Sequence, residues 1–434
     1  MNLRMTHALM VMLMVGLVLI SGCGGDEESA SKSSSENKLL VIGIDSADWR
    51  LLKPMMDAGR LPHLAEFTAQ STHGRMKTFY PLEKSPLLWA SICTGVMPEV
   101  HGINNFVKGS TQKPVTGSAW YAPAIWDILG AADRSTALVG MWNTYPARPI
   151  NGVMVSDYVP YGSTRDKPLA GLCFPDSLAE VAISLRVDPE DITDEQLSLF
   201  IPADKLQEAK ESHPDEVAKL AGVFAADLTY LAINRELAKG DSFDLFFFYL
   251  RGPDMVSHYF YKYFTPEKGN YRHTAETLEI FGGVIEKYYE WSDKVTGEVL
   301  AWFPADRQTV ILSDHGFYGP RASSEKGTAE HSEWGIFLVR SPMYLPDQSF
   351  NHLELIDICP TFLALMGLPP AKDMPGYILD SGLTPDGRKR VTRMEEHRVD
   401  SYMPLRPADG PAGERDEGVD EEIRKQLRSL GYIN

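Results

Sequence analysis

Leu39-Leu40-Val41-Ile42-Gly43-Ile44-Asp45-Ser46 decides the fold: an unbroken run of apolar or small residues ends directly on an acid. A strand with one wet face alternates apolar and polar residues, whereas an unbroken run belongs to a strand covered on both faces. Similar runs recur at residues 137–141, 153–155, 245–250, 309–312 and 336–339. With helical stretches between them, they predict an α/β sandwich whose mostly parallel central sheet is flanked by helices. Polar residues follow these strands rather than interrupting them: Asp45 after Ile44, Trp142-Asn143 after Met141, Asp314-His315 after Ser313. In open α/β sheets ligands bind in the crevice beyond the carboxyl ends of the strands.

At 434 residues, with 44% hydrophobic and 10% aromatic residues, the chain fits one large α/β domain with insertions better than three small ones. Its formal charge of −17 argues against a protein that tracks a nucleic-acid backbone, and no nucleic-acid binding is expected. Residues 1–22 read as a targeting segment: Arg4 precedes an apolar run over residues 8–20, which is short for a bilayer span. Ile20-Ser21-Gly22-Cys23 resembles the bacterial lipoprotein cleavage box, which implies acylation of Cys23 and an extracytoplasmic protein held on a membrane face. The alternative is a plain secretory leader with a chance cysteine. Residues 23–37 are nearly devoid of apolar side chains and predict a flexible tether. Cys93 and Cys359 lie in apolar helical contexts and are expected in the core, while Cys173 is undecided.

Residues 38–385 form the expected catalytic domain. Within it, residues 161–240 change to polar helical stretches punctuated by prolines, a partly helical insertion expected to cap the crevice and set substrate shape. Residues 274–295 are amphipathic and predict a crossover helix. Residues 386–434 read as a polar tail ending in a short helix, with Ile423, Leu427 and Leu430 on one face.

Six metal-ligand-type side chains and one hydroxyl recur in order: Asp45, Ser85, Asp254 with His258, Asp314 with His315, and His331. Two divalent ions roughly 3.5–4 Å apart require such a set, with a nucleophile against one ion. Asp254 and His258 are four residues apart and face the same way on a helix. Ser85-Pro86 reads as a helix start with Ser85 at the cap; a hydroxyl there also sits in positive potential, suited to phosphate oxygens. A nearby cation would lower its pKa and make it nucleophilic. Gly316 is expected to supply the backbone freedom that lets Asp314 and His315 converge.

These residues resemble the alkaline phosphatase superfamily, specifically its type I phosphodiesterase/nucleotide pyrophosphatase branch, over residues 39–379. The resemblance rests on Gly43-Ile44-Asp45-Ser46, Ser85-Pro86 with Trp89, Thr94-Gly95 with Pro98, His101-Gly102-Ile103, Asp254 with His258, Ser313-Asp314-His315-Gly316-Phe317, and His331. Asp357-Ile358-Cys359-Pro360-Thr361 with Gly367, and Trp126 leading to Trp142, support it. It implies an alkaline-phosphatase-like sandwich and two divalent ions, usually Zn2+, with Mn2+ as an alternative. One ion would be held by Asp254, His258 and His331, the other by Asp45, Asp314, His315 and the Ser85 hydroxyl. Ser85 would attack phosphorus and pass through a phosphoseryl intermediate.

The chain also departs from the family. Many members carry threonine as nucleophile and a downstream asparagine at a position read here as Leu88. Lys84 and Arg251 are candidate substitutes for it, and Trp142 is a further candidate substrate contact. A sulfatase would need Pro two residues and Arg four residues after its nucleophile, whereas Ser85 is followed by Pro86 and Trp89. The expected activity is phosphodiester or nucleotide pyrophosphate hydrolysis. The alternatives are a phosphomonoesterase or phospho-group transferase acting on an envelope or lipid substrate, and a non-catalytic binding lipoprotein.

Overall fold

The computed structural model describes residues 37–79, 81, 84–109, 112–161, 170–265, 267, 271–317, 331–406 and 417–429. The expected leader, most of the tether and Cys23 lie outside the described residues.

The main sheet has nine strands: β1 Leu39–Ile44, β2 Thr72–Lys77, β3 Thr136–Val139, β4 Gly152–Val155, β5 Cys173–Phe174, β6 Leu245–Leu250, β7 Gln308–Leu312, β8 Trp334–Arg340 and β9 Gln348–Glu354. Their order is β9-β2-β8-β7-β1-β6-β3-β4-β5. Only β5 and β8 run against the other seven, so the sheet is mixed but mostly parallel, as expected.

The unbroken apolar runs do feed two layers. Leu40, Ile42 and Ile44 of β1 point into one core, Leu39 and Val41 into the other. The main helices are α1 Trp49–Asp57, α2 Pro62–Ala69, α3 Ser85–Thr94, α4 Ile125–Ala131, α5 Pro214–Leu237, α6 Gly252–Phe264, α7 Val284–Ala301 and α8 Ile358–Leu365. Side chains of α1, α2, α5, α6 and α7 fill the first core; those of α3, α4 and α8 fill the second.

The expected crossover helix over residues 274–295 is two helices, Ala275–Phe281 and α7, because Gly282-Gly283 interrupts it. Glycine costs about 1 kcal/mol relative to alanine inside a helix. Of residues 161–240, the described part is largely helical, and α5 packs against β3 and α6. Ile423 and Leu427 of the last helix, Glu417–Ser429, are buried in the first core; Leu430 lies outside the described residues. Among the described residues no helix is long and apolar enough to cross a membrane.

Candidate metal centre

Strand register sets the first half of the site. Gly43 pairs with Leu312 and Ile44 with Leu250, so Asp45 and Asp314 leave adjacent strands at one level and Arg251 stands level with Asp45. The chain then turns sharply, and Ser46 takes a left-handed φ of 69°, uncommon for a residue with a side chain. Ser313 staples this turn: its hydroxyl donates to His315 O at 2.6 Å and accepts Ala47 N–H at 3.0 Å. Gly316 provides room rather than unusual backbone angles. A Cβ there would lie 2.3 Å from Trp334 O and 2.4 Å from Asp48 Oδ2.

His315 Nδ1 lies 3.0 Å from Gly316 O. A carbonyl only accepts, so Nδ1 carries the proton and Nε2 presents a lone pair to the site. That Nε2 is 3.4 Å from Asp45 Oδ1, 3.5 Å from Asp314 Oδ2 and 3.2 Å from Ser85 Oγ. The expected cap role of Ser85 is therefore corrected. Lys84 occupies the cap position of α3, no side chain caps the helix, and the Ser85 hydroxyl turns to His315. Trp89, one turn on from Ser85, packs onto Gly43, where a Cβ would stand 2.6 Å from its ring.

The second half comes from α6 and a short antiparallel ladder. Asp254 Oδ1 is 3.4 Å from His258 Nε2 and 3.5 Å from His331 Nε2, and those two nitrogens are 3.0 Å apart. His331 arrives because residues 331–332 pair with Gly316-Phe317, which also stacks its ring on His315 at 3.7 Å between centroids. In each set, Asp45, Asp314, His315 and Asp254, His258, His331, the ligand-type atoms lie within 4.8 Å of one another. All seven residues expected from the sequence thus converge.

Burial dominates the electrostatics of the site. Asp45, Asp314 and His315 are fully buried. Among the described residues, Asp45 Oδ1 and both Asp314 oxygens find no partner with full hydrogen-bond geometry. Burial, reinforced by Asp254, raises the Asp45 pKa; burial and Asp45 push Asp314 well above the carboxylate range. Burial and the neighbouring His331 lower His315 to about 4, which keeps the imidazole neutral as a ligand must be. Asp254 differs: although burial opposes it, His258 and His331 hold its carboxyl well below the usual value. Buried carboxylates so close together are costly unless one keeps its proton or positive charge lies between them. Carboxylate and imidazole donors fit a divalent ion.

Around the ligands, Tyr249 of β6 donates its hydroxyl to Asp45 Oδ2 and accepts Trp142 Nε1–H at 2.9 Å. The half-buried Trp142 ring lies edge-on to Phe106 and carries the Arg251 guanidinium 3.6 Å from its centroid. Arg251 is buried and donates to Gly140 O at 2.8 Å. Lys84 Nζ donates to Asn105 Oδ1 at 3.0 Å, which brings an asparagine beside the neighbour of Ser85. Leu88 is fully buried in the second core. Sequence reasoning passed over Tyr249 and Asn105. The signal for Tyr249 was a lone hydroxyl near the carboxyl end of an apolar strand. His101 is structural: its Nδ1 accepts Ile103 N–H, so Nε2 donates to Ser91 Oγ at 2.9 Å.

A mixed sheet between two helical layers, with paired acid and imidazole clusters and a hydroxyl at its carboxyl edge, defines an alkaline-phosphatase-like enzyme class. The chain belongs to the type I phosphodiesterase/nucleotide pyrophosphatase family, whose model matches residues 39–322. No curated protein sequence matches it. Among solved structures, the chain is similar to a 2-O GAG sulfatase at 12% identity, with 82% of this chain and 74% of that one covered and a TM-score of 0.52. A murine ectonucleotide pyrophosphatase/phosphodiesterase 5 matches at 13% identity over 80% of this chain and all of its own, with a TM-score of 0.46. Phosphonoacetate hydrolase from Sinorhizobium meliloti matches at 16% identity and TM-score 0.40, covering 67% of this chain and 59% of its own length. At 12% identity the sulfatase likeness speaks to the fold alone.

Proposed function

We propose that this protein is a metal-dependent phosphodiesterase that hydrolyses phosphodiester or nucleotide pyrophosphate bonds through a phosphoseryl intermediate on Ser85. The observation that carries the reading is the convergence of two carboxylate–imidazole triads with the Ser85 hydroxyl 3.2 Å from His315 Nε2. Asp254, His258 and His331 would hold one divalent ion, and Asp45, Asp314, His315 and Ser85 Oγ the other. Imidazole with carboxylate favours zinc. Bound ions would supply Lewis acidity, lower the serine pKa and offset charge on the phosphoryl oxygens.

Ser85 Oγ attacks phosphorus in line, its O–P bond forms, and the bond to the leaving alkoxide or phosphate breaks. Water then attacks the phosphoserine from the opposite side and releases the monoester. The start of α3 directs backbone N–H groups toward phosphoryl oxygens. Asn105, held by Lys84, supplies the amide that Leu88 cannot, and Trp142 offers an aromatic face backed by Arg251. Cys23 would carry the acyl anchor that holds the mature protein on the extracytoplasmic side of a membrane.

The test is turnover of nitrophenyl mono- and diesters by purified protein with added zinc or manganese. The expected result is metal-dependent diester cleavage that disappears in Ser85→Ala, with a weaker loss in Asn105→Ala. Turnover unchanged by Ser85→Ala would refute the mechanism.

A further inference from the structure

Asp227, on α5, belongs to neither triad, yet its buried carboxylate meets the start of the helix that carries one of them. Oδ1 and Oδ2 accept the Gly252 N–H at 3.2 and 3.1 Å, and Oδ2 also accepts Tyr288 Oη–H at 2.8 Å. Gly252 opens α6 two residues before Asp254. A Cβ at that position would lie 2.1 Å from Asp227 Oδ2 and 2.3 Å from the Tyr288 hydroxyl oxygen. An ordinary cap comes from the residue before the helix. Here that residue is Arg251, which makes no side-chain cap, and the acceptor comes from another helix. Asp227 is thus the point where α5, α6 and α7 are joined by polar contacts, in a core where an unpaired carboxylate would be costly.

We propose that Asp227 is a positioning residue for the metal centre: it fixes the start of α6 and so sets where Asp254 and His258 meet His331. The inference rests on the reading that this triad binds a cation. Metal–ligand distances must be right to about 0.2 Å, a tighter demand than apolar helix packing imposes. Asp45 and Asp314 follow strands β1 and β7, whose ladders do not involve Asp227. Loosening the clamp should therefore damage one ion site and spare the other.

The experiment is a zinc titration of the metal-stripped full-length protein against a chromophoric chelator, with melting of the metal-free forms measured alongside. Wild type is expected to bind two ions. In Asp227→Asn, one dissociation constant should rise by about 10-fold or more, in the range for partners that orient metal ligands. The other should stay unchanged, and kcat should recover at high zinc. Tyr288→Phe keeps the carboxylate and its contact with Gly252; it should weaken the same site by about threefold, at the low end for one hydrogen bond. It carries the test if the asparagine variant does not fold. Wild type binding fewer than two ions would overturn the two-cation reading and this inference with it. Two ions in wild type, with both constants unchanged or both weakened alike in the variants, would overturn the inference alone.

Discussion

Replacing Tyr249 by phenylalanine removes one oxygen from the strand-borne triad without changing its ligands. The hydroxyl donates to Asp45 Oδ2 and accepts from Trp142 Nε1, and Tyr249 is only 1% exposed, so no solvent stands ready to replace it. A hydrogen bond to a charged group contributes about 1.5–3 kcal/mol. At about 1.4 kcal/mol per decade, that corresponds to a loss of about 10- to 150-fold in affinity. Trp142 is half-buried and recovers part of its lost bond from water, so the larger share falls on Asp45. Metal titration should show the proposed Asp45, Asp314 and His315 site weakened by that factor and the Asp254 site unaffected. Initial rates at limiting metal should fall in parallel. Trp142→Phe, which leaves the Tyr249–Asp45 bond in place, should weaken metal binding far less. A Tyr249→Phe protein with wild-type metal constants would show that Asp45 owes nothing to this bond.

Gly43→Ala places a methyl 2.6 Å from the Trp89 ring, and overpacking of this kind costs about 1–3 kcal/mol; because Trp89 follows Ser85 by one turn, both denaturation midpoint and kcat should drop while two ions still bind. Burial holds Asp227 up at about 7, against Tyr288, Gly252 and Arg251, which favour its charged form. An unfolded aspartate titrates near 4, so stability from this proton is full below about pH 4 and is lost as pH rises through about 7. Metal-free wild type should therefore lose stability relative to Asp227→Asn between about pH 4 and 7, and a constant difference in melting temperature across that range would refute it. Cys93, Cys173 and Cys359 are buried and unbridged, and burial, with Asp176 nearby, pushes the Cys173 thiol up to about 12. A chain beginning after Cys23 should give no reaction with a thiol reagent at pH 8 until denatured, and then three equivalents.

The parts of the fold legible in the sequence are those buried on both faces. β1 and β6, and the inner parts of β7 (310–312) and β8 (336–339), are apolar runs because each strand has neighbours on both sides and helices above and below. β2, Thr72-His73-Gly74-Arg75-Met76-Lys77, alternates buried with more exposed residues, and the edge strand β9 is largely exposed, so neither shows such a run. Asp45, Asp314 and His315 were legible because they follow strand ends, and Asp254 with His258 because they share a helical face; Ser85 and His331 were reached through the helix start and the family resemblance. Ser-Pro at a helix start fits both a cap and a nucleophile, and of the two roles read for Ser85 only the cap is corrected: Lys84 holds the cap position and the hydroxyl turns to His315. Asp227 left no local trace, since its partners Gly252 and Tyr288 are 25 and 61 residues away.

The two halves of the centre draw their rigidity from different sources. Asp45 and Asp314 stand level because Gly43 pairs with Leu312, and shifting either would require breaking a parallel ladder. Asp254 and His258 are fixed relative to each other by one helical turn, but their place relative to the sheet depends on how α6 begins. That beginning rests on Asp227 and Tyr288 and on the close approach that Gly252 permits. His331 belongs to neither source: its ladder with Gly316-Phe317 stacks it on His315, while its Nε2 faces Asp254 and His258. It therefore contacts both halves. Displacing the 331–332 ladder would remove this shared contact and leave the continuity of β6 with α6 as the tie between the helix-borne and strand-borne residues.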